Sequence, residues 1–162
     1  MSELPPAIES RADFAAALNW AFDHSMARPA RRIVCVDPSF ADWPLDAPAL
    51  HEKLTAWLRL PQRRLVLLAR DFEALPRCHP RFVAWRVDWS HAIETRMPQE
   101  GEAPELPTLF VDDADLAVQL VDRRHWRGRA ELDAGQARLW RDRIDVVLQR
   151  STPAFAPDSL GL

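Results

Sequence analysis

Two short runs, Ile33-Val34-Cys35-Val36 and Leu65-Val66-Leu67-Leu68, constrain what this chain can fold into more than any other feature. Successive residues of a strand point to opposite sides, so four apolar residues in a row need cover on both faces. Both runs are too short for helices. Asp37-Pro38 closes the first and Ala69-Arg70-Asp71 the second. They predict strands at the centre of a parallel sheet.

Helical stripes lie around them. Phe14, Leu18, Ala21 and Phe22 give a first helix over residues 11–25, opened by Ser10 and Asp13 in a capping-box-like arrangement. Trp20 falls off that stripe. Leu50, Leu54, Trp57 and Leu58 give a second helix, opened by Asp46 and Pro48 and ended by Pro61. After a short helical stretch around Phe72–Leu75, a third strand is expected at Phe82–Trp89. There Val83, Trp85, Val87 and Trp89 alternate with Ala84, Arg86 and Asp88. An acidic, proline-bearing loop spans 98–107. Thr108–Asp112 and Leu116–Asp122 flank Asp112-Asp113-Ala114-Asp115 and read as a hairpin. Asp133 and Gln136 open a long last helix with a stripe of Ala137, Trp140, Ile144, Val147 and Leu148. Trp140, Leu148, Val66 and Leu67 are expected to be almost fully buried.

This order predicts an α/β fold: a mixed, mostly parallel sheet flanked by helices on both faces, with a late β-hairpin and a long C-terminal helix. The domain is expected over 11–152, with an N-terminal tail at 1–10 and an extended C-terminal tail at 153–162. No internal repeat or second domain is read, and 162 residues suit one core.

Composition narrows the function classes. No apolar run approaches the ~18 residues of a membrane span, and the first residues lack a signal-peptide pattern, so a cytoplasmic location is expected. A net charge of −3 argues against general nucleic-acid binding. Among the 21 cationic residues only Lys53 is lysine, which together with four glycines and no tyrosine reads as the product of a GC-rich genome. The two cysteines, Cys35 and Cys78, are too few for a disulfide framework and are expected as reduced thiols. Four glycines cannot supply a phosphate loop, and neither a nucleophile elbow nor a zinc helix is present. His24, His51, His79, His91 and His125 stand singly, without a second ligand at metal spacing. No cofactor is expected.

The segments Leu106-Pro107-Thr108-Leu109-Phe110-Val111-Asp112-Asp113, Gly128-Arg129-Ala130-Glu131-Leu132 and Leu148-Gln149-Arg150-Ser151-Thr152-Pro153 carry a likeness. With the element order over roughly residues 12–162, they resemble one half of the phospholipase D fold. The likeness is nearest to small bacterial domains of that kind, some attached to GNAT-type acetyltransferase domains. Active members carry His-x-Lys-x-x-x-x-Asp on a strand, where the histidine attacks phosphorus and the lysine neutralises the phosphate. Setting the acidic end on Asp113 puts Leu106 and Thr108 at the His and Lys positions. Setting it on Asp112 gives Glu105 and Pro107. Either way the resemblance implies a domain without its catalytic pair. His51-Glu52-Lys53 spells His-x-Lys but falls in a helix, where residues two apart diverge by about 200°. Single-motif relatives pair their halves, so the resemblance also implies a homodimer, to which Trp20 would lend an apolar contact.

Two surfaces are candidates for a ligand. Arg123, Arg124, Arg127 and Arg129 surround Trp126 between the last strand and the final helix. They could grip a phosphate or carboxylate beside a stacking ring. The alternative is a solvated connection whose Trp126 plugs the core edge. Asp37, Asp71 and Asp88 each close an expected strand and could hold Mg²⁺, or each simply cap the following turn. The leading expectation is a non-catalytic binding or regulatory module with an anionic ligand. The rivals are a metal-dependent phosphoryl-transfer or hydrolytic enzyme using the aspartates, and a protein-interaction subunit without a small ligand.

Overall fold

In a computed structural model of the chain, which describes residues 4–28, 30–101 and 105–157, the two apolar runs are neighbouring central strands. β1 (Arg32–Val36) and β2 (Arg64–Leu68) run parallel, with Ile33 opposite Leu65 and Val34 opposite Val66. Their side chains divide between two cores. Ile33, Cys35, Leu65 and Leu67 join one, and Val34, Val36, Val66 and Leu68 the other. All eight are at most 2 % exposed, as runs without polar alternation require.

The larger core lies under α1 (Arg11–Ala27), α2 (Pro48–Leu58), α3 (Ala74–Cys78) and α4 (Pro80–Arg86). The smaller lies under α5 (Ala134–Gln149). The remaining strands are β3 (Ile93–Pro98), β4 (Thr108–Asp112), β5 (Leu116–Asp122), β6 (Arg127–Leu132) and β7 (Ser151–Pro153). They complete a sheet ordered β6-β5-β4-β1-β2-β3-β7. The α/β class, helices on both faces, late hairpin and long final helix are as expected.

The balance of strand directions is corrected. Only β1–β2 and β2–β3 are parallel, and the other four pairings are antiparallel. Short turns join β4, β5 and β6, and a connection of a few residues can only return a strand antiparallel. β6 and β7 themselves form from residues that sequence periodicity assigned to no strand.

The expected third strand is also corrected. Residues 80–86 are α4, residues 87–89 a single 3₁₀ turn, and the third strand is Ile93–Pro98. Over so few residues, alternation and helical periodicity select overlapping positions. Phe82 and Arg86, four apart, are the buried pair. Asp46 explains part of the error: α2 starts at Pro48 without a side-chain cap, and the Asp46 carboxylate accepts the Arg81 and Phe82 N–H groups of α4 instead, at 2.7 and 3.1 Å. At α1 the cap is the expected one, with Ser10 Oγ accepting from Asp13 N–H at 3.0 Å.

Residues on either side of 11–152 also pack on the domain. Ile8 is buried and bridges Gly128, and Phe155 packs against the larger core beyond β7. Residues 1–3 and 158–162 of the expected tails, and 102–104 of the expected loop, lie outside the described residues. Trp140 and Leu148 are half-buried rather than enclosed, and on α5 only Ala137 and Ile144 are buried. Nothing among the described residues lies behind α5, so its flanks stay open. Trp20, off the α1 stripe, is half-buried and stacks on His24 at 5.3 Å.

Burial separates the two thiols. Cys35 is 1 % exposed and desolvation pushes its thiol well above the usual range, whereas Cys78 is exposed. A disulfide-exchange reagent should therefore modify Cys78 promptly in the native protein and Cys35 only on unfolding. Prompt reaction of both thiols would contradict this packing.

Candidate functional site

β4 runs antiparallel to β1, which sets its first residues beside the carboxyl end of β1. Here Thr108 donates its hydroxyl to the Asp37 carboxylate. The other Asp37 oxygen accepts the Ser39 and Phe40 N–H groups at 3.0 and 2.7 Å, stabilising a turn in which Phe40 has φ 61°. Leu106 and Thr108 are 4 % and 1 % exposed. Asp113, at the far end of β4, accepts the Arg31 N–H at 3.1 Å. Neither position carries an imidazole or a cation, and the Thr108 hydroxyl is engaged with Asp37.

The arginine segment is a hairpin turn, not a loop, and Arg127 and Arg129 belong to β6. The Asp122 carboxylate holds the turn by accepting the Arg124 and His125 N–H groups at 2.9 and 3.1 Å, and it meets His125 Nδ1 at 2.9 Å. These contacts, the His125 ring first, hold the Asp122 carboxyl below its usual range. Any stability they add is present above the ordinary carboxylate range and is lost as pH falls through the depressed value. Trp126 closes the turn at φ 55°, beside a bulge between Leu120 and Asp122. Gly128 follows, where a Cβ would press into the Gln119 carbonyl and lie 3.2 Å from the Leu120 Cα.

The expected site residues come only partly together. Trp126 is half-buried on the α1 side, 5.7 Å from Phe14 and under the Arg11 guanidinium at 5.8 Å. Alternation sets Arg127 and Arg129 on the opposite face of the sheet, so the ring forms no wall beside them. Arg127 stands 3.9 Å from Glu9 and Arg129 4.0 Å from Glu131, both at the outer limit of an ion pair. Arg123 donates to the Leu106 carbonyl at 2.9 Å. Arg124 is exposed.

The three aspartates do not converge. Asp37 is spent as described, and the Asp71 carboxylate accepts the Glu73 N–H at 3.1 Å. Asp88 lies in the 3₁₀ turn that leads into β3, at the amino end of the parallel strands, and closes no strand. Among the described residues no three metal-ligating side chains gather. His51 and Lys53 diverge on α2: His51 is buried against the Leu45 carbonyl at 2.6 Å, and Lys53 reaches Asp23 at 2.8 Å.

Sequence reasoning missed one residue of functional interest. As part of a half-exposed strand Arg86 would face water, but on α4 it is 2 % exposed. Desolvation pushes its guanidinium down to about 10, which leaves it charged at neutral pH. The available signal was its i, i+4 relation to Phe82.

No protein-family profile and no curated protein matches the sequence. The fold is similar to solved structures. One is TrmBL2, an archaeal chromatin protein with a novel mode of DNA binding (TM-score 0.57, 11 % identity, covering 87 % of this chain and 51 % of that one). Another is phosphatidylserine synthase from Haemophilus influenzae Rd KW20 (TM-score 0.56, 14 % identity, covering 90 % of this chain and 38 % of that one). At these identities the likeness is one of fold alone, and with the second structure it supports a phospholipase D-like fold. The chain spans about half the length of the first and two fifths of the second.

Proposed function

We propose that the chain is a non-catalytic phospholipase D-like domain acting as a binding or regulatory module, with an anion as the ligand of the arginine hairpin. One observation carries the first half. Leu106 and Thr108, where the resemblance sets the family's histidine and lysine, are buried, and the Thr108 hydroxyl is spent on Asp37. Phosphoryl transfer there would need a nucleophile and a cation at those two positions.

The second half is supported by the arginines' weak commitments. Arg127 and Arg129 share a sheet face, are mostly exposed, and meet their carboxylates only at 3.9 and 4.0 Å. Surface pairs at such distances contribute little, so an incoming phosphate or carboxylate competes with them easily.

Two measurements test the proposal. Purified protein should not cleave bis(p-nitrophenyl) phosphate above background, and metal-independent turnover would end the non-catalytic reading. At constant ionic strength, phosphate, sulfate or a nucleotide should raise the unfolding temperature of the wild type more than that of Arg127→Ala. An equal rise in both proteins would assign the effect to bulk salt and return the hairpin to a solvated connector.

A further inference from the structure

Arg86 is a cation inside the larger core with no carboxylate opposite it among the described residues. A guanidinium in such a place is costly unless an anion or several acceptors satisfy it. Its Nη1 lies 3.4 Å from Thr95 Oγ1, and its Nε, fully shielded from solvent, has no partner. The remaining satisfaction comes from a single residue of the C-terminal segment. Phe155 turns inward at φ 53°, a conformation that bulky L residues rarely adopt. Its carbonyl accepts from Nη2, and its ring lies 4.2 Å from the guanidinium. The ring also stacks on Phe72 at 5.4 Å, 7° from parallel, and Phe72 stacks in turn on Phe40. Phe155 thus fills a slot lined by an aromatic ring and a cation.

Open space lies against the residues on either side of Phe155. A cleft of about 460 Å³ runs between β3 and the segment Pro153–Pro157, with Thr95 and Ala154 among its lining residues. Thr95, which lines the cleft, also meets the Arg86 guanidinium. Few bonds hold the segment. Beyond the three residues of β7, the Ala154 N–H donates to the Thr95 carbonyl at 2.9 Å, and the Thr95 hydroxyl donates to the Ala154 carbonyl at 2.6 Å.

We propose that Arg86 anchors a binding site for a small aromatic carboxylate, which Phe155 occupies as a built-in surrogate until the ligand displaces it. The surrogate's own geometry names the ligand class. In Phe155 two carbons, Cβ and Cα, separate the ring from the carbonyl carbon. That spacing lets the ring cover the guanidinium face while the oxygen meets its edge. A ligand with a ring two carbons from a carboxylate repeats both contacts. It also replaces a neutral acceptor with a charged one, which bonds roughly twice as strongly, and its second oxygen suits the unpaired Nε. This site shares no residue with the arginine hairpin and stands whether or not the hairpin binds an anion.

Isothermal titration of the full chain with 3-phenylpropionate and with its neutral amide tests the proposal. A surrogate that blocks its own site lowers apparent affinity by the fraction of molecules closed. Phe155→Gly removes the ring, suits the positive φ and should bind 3-phenylpropionate about tenfold or more tightly than the wild type. The amide should not bind Phe155→Gly measurably, and Arg86→Met in the same background should abolish binding of the acid. The proposal is overturned if Phe155→Gly fails to bind the acid, if it binds the amide equally well, or if Phe155→Gly with Arg86→Met still binds. Where that double variant does not fold, the acid–amide comparison on Phe155→Gly alone decides.

Discussion

An Asp112→Ala protein should unfold about 3 kcal/mol or more below the wild type, because one buried carboxylate satisfies three donors. Asp112 is 1 % exposed. One of its oxygens accepts the Ala114 and Leu116 N–H groups at 2.9 and 3.1 Å, and the other accepts the Ser25 hydroxyl at 2.8 Å. The first two bonds set the turn between β4 and β5, and the third ties that turn to α1. Alanine strands all three donors, the Ser25 hydroxyl and the Leu116 N–H where water does not reach. Asp112→Asn keeps an oxygen for the two backbone groups and turns an NH2 toward Ser25, where it donates to the hydroxyl oxygen instead of accepting from it, so it should recover more than half of the loss. Denaturant unfolding measures both variants. A loss under about 1 kcal/mol for the alanine variant would mean that the turn holds itself without this carboxylate.

Phe110→Ala should cost about 3–5 kcal/mol, the usual range for emptying an enclosed aromatic site. Phe110 has no exposed surface and meets Phe22 edge-on at 4.9 Å. Trp140→Ala should cost less than half as much, although tryptophan is larger. Its ring is half-buried, with the Arg143 guanidinium above it at 5.2 Å, so the truncated site fills with water rather than remaining a void. Thermal or denaturant unfolding of the two variants gives the order directly. The reverse order would make the α5 side, rather than the α1–α4 side, the principal core.

The parts of the fold legible in the sequence are those where short-range pattern and long-range environment agree. The runs at Ile33 and Leu65 had no other low-energy use than central strands. The α1 stripe carried its own cap, and Asp133 caps α5 through the Gly135 and Gln136 N–H groups at 2.9 and 3.2 Å. The failures lie where distant residues decide. The Asp46 carboxylate that starts α4 comes from 35 residues away, and nothing local distinguishes it from a cap for α2. β3 hid behind its charges. Glu94 is satisfied by Arg64 at 2.8 Å, and Arg96 donates to Ser151 Oγ at 2.6 Å on a strand that forms only when the chain returns. The arginine hairpin was visible as a concentration of charge, but not the alternation that sends Arg127 and Arg129 away from Trp126. Arg86 was misplaced because its helix was.

A sheet built from one chain is also an invitation to the next chain, since each outer strand carries unpaired N–H and C=O groups that a second copy can extend. Here both ends of the sheet carry features that discourage it. On β6 the Gly128 N–H already donates to the Ile8 carbonyl, and Arg127, Arg129 and Glu131 line the strand with charge. At the other end β7 lasts only three residues and finishes on Pro153, which has no N–H to offer. A second copy therefore finds a charged, partly occupied strand at one end of the sheet and a short, proline-ended one at the other.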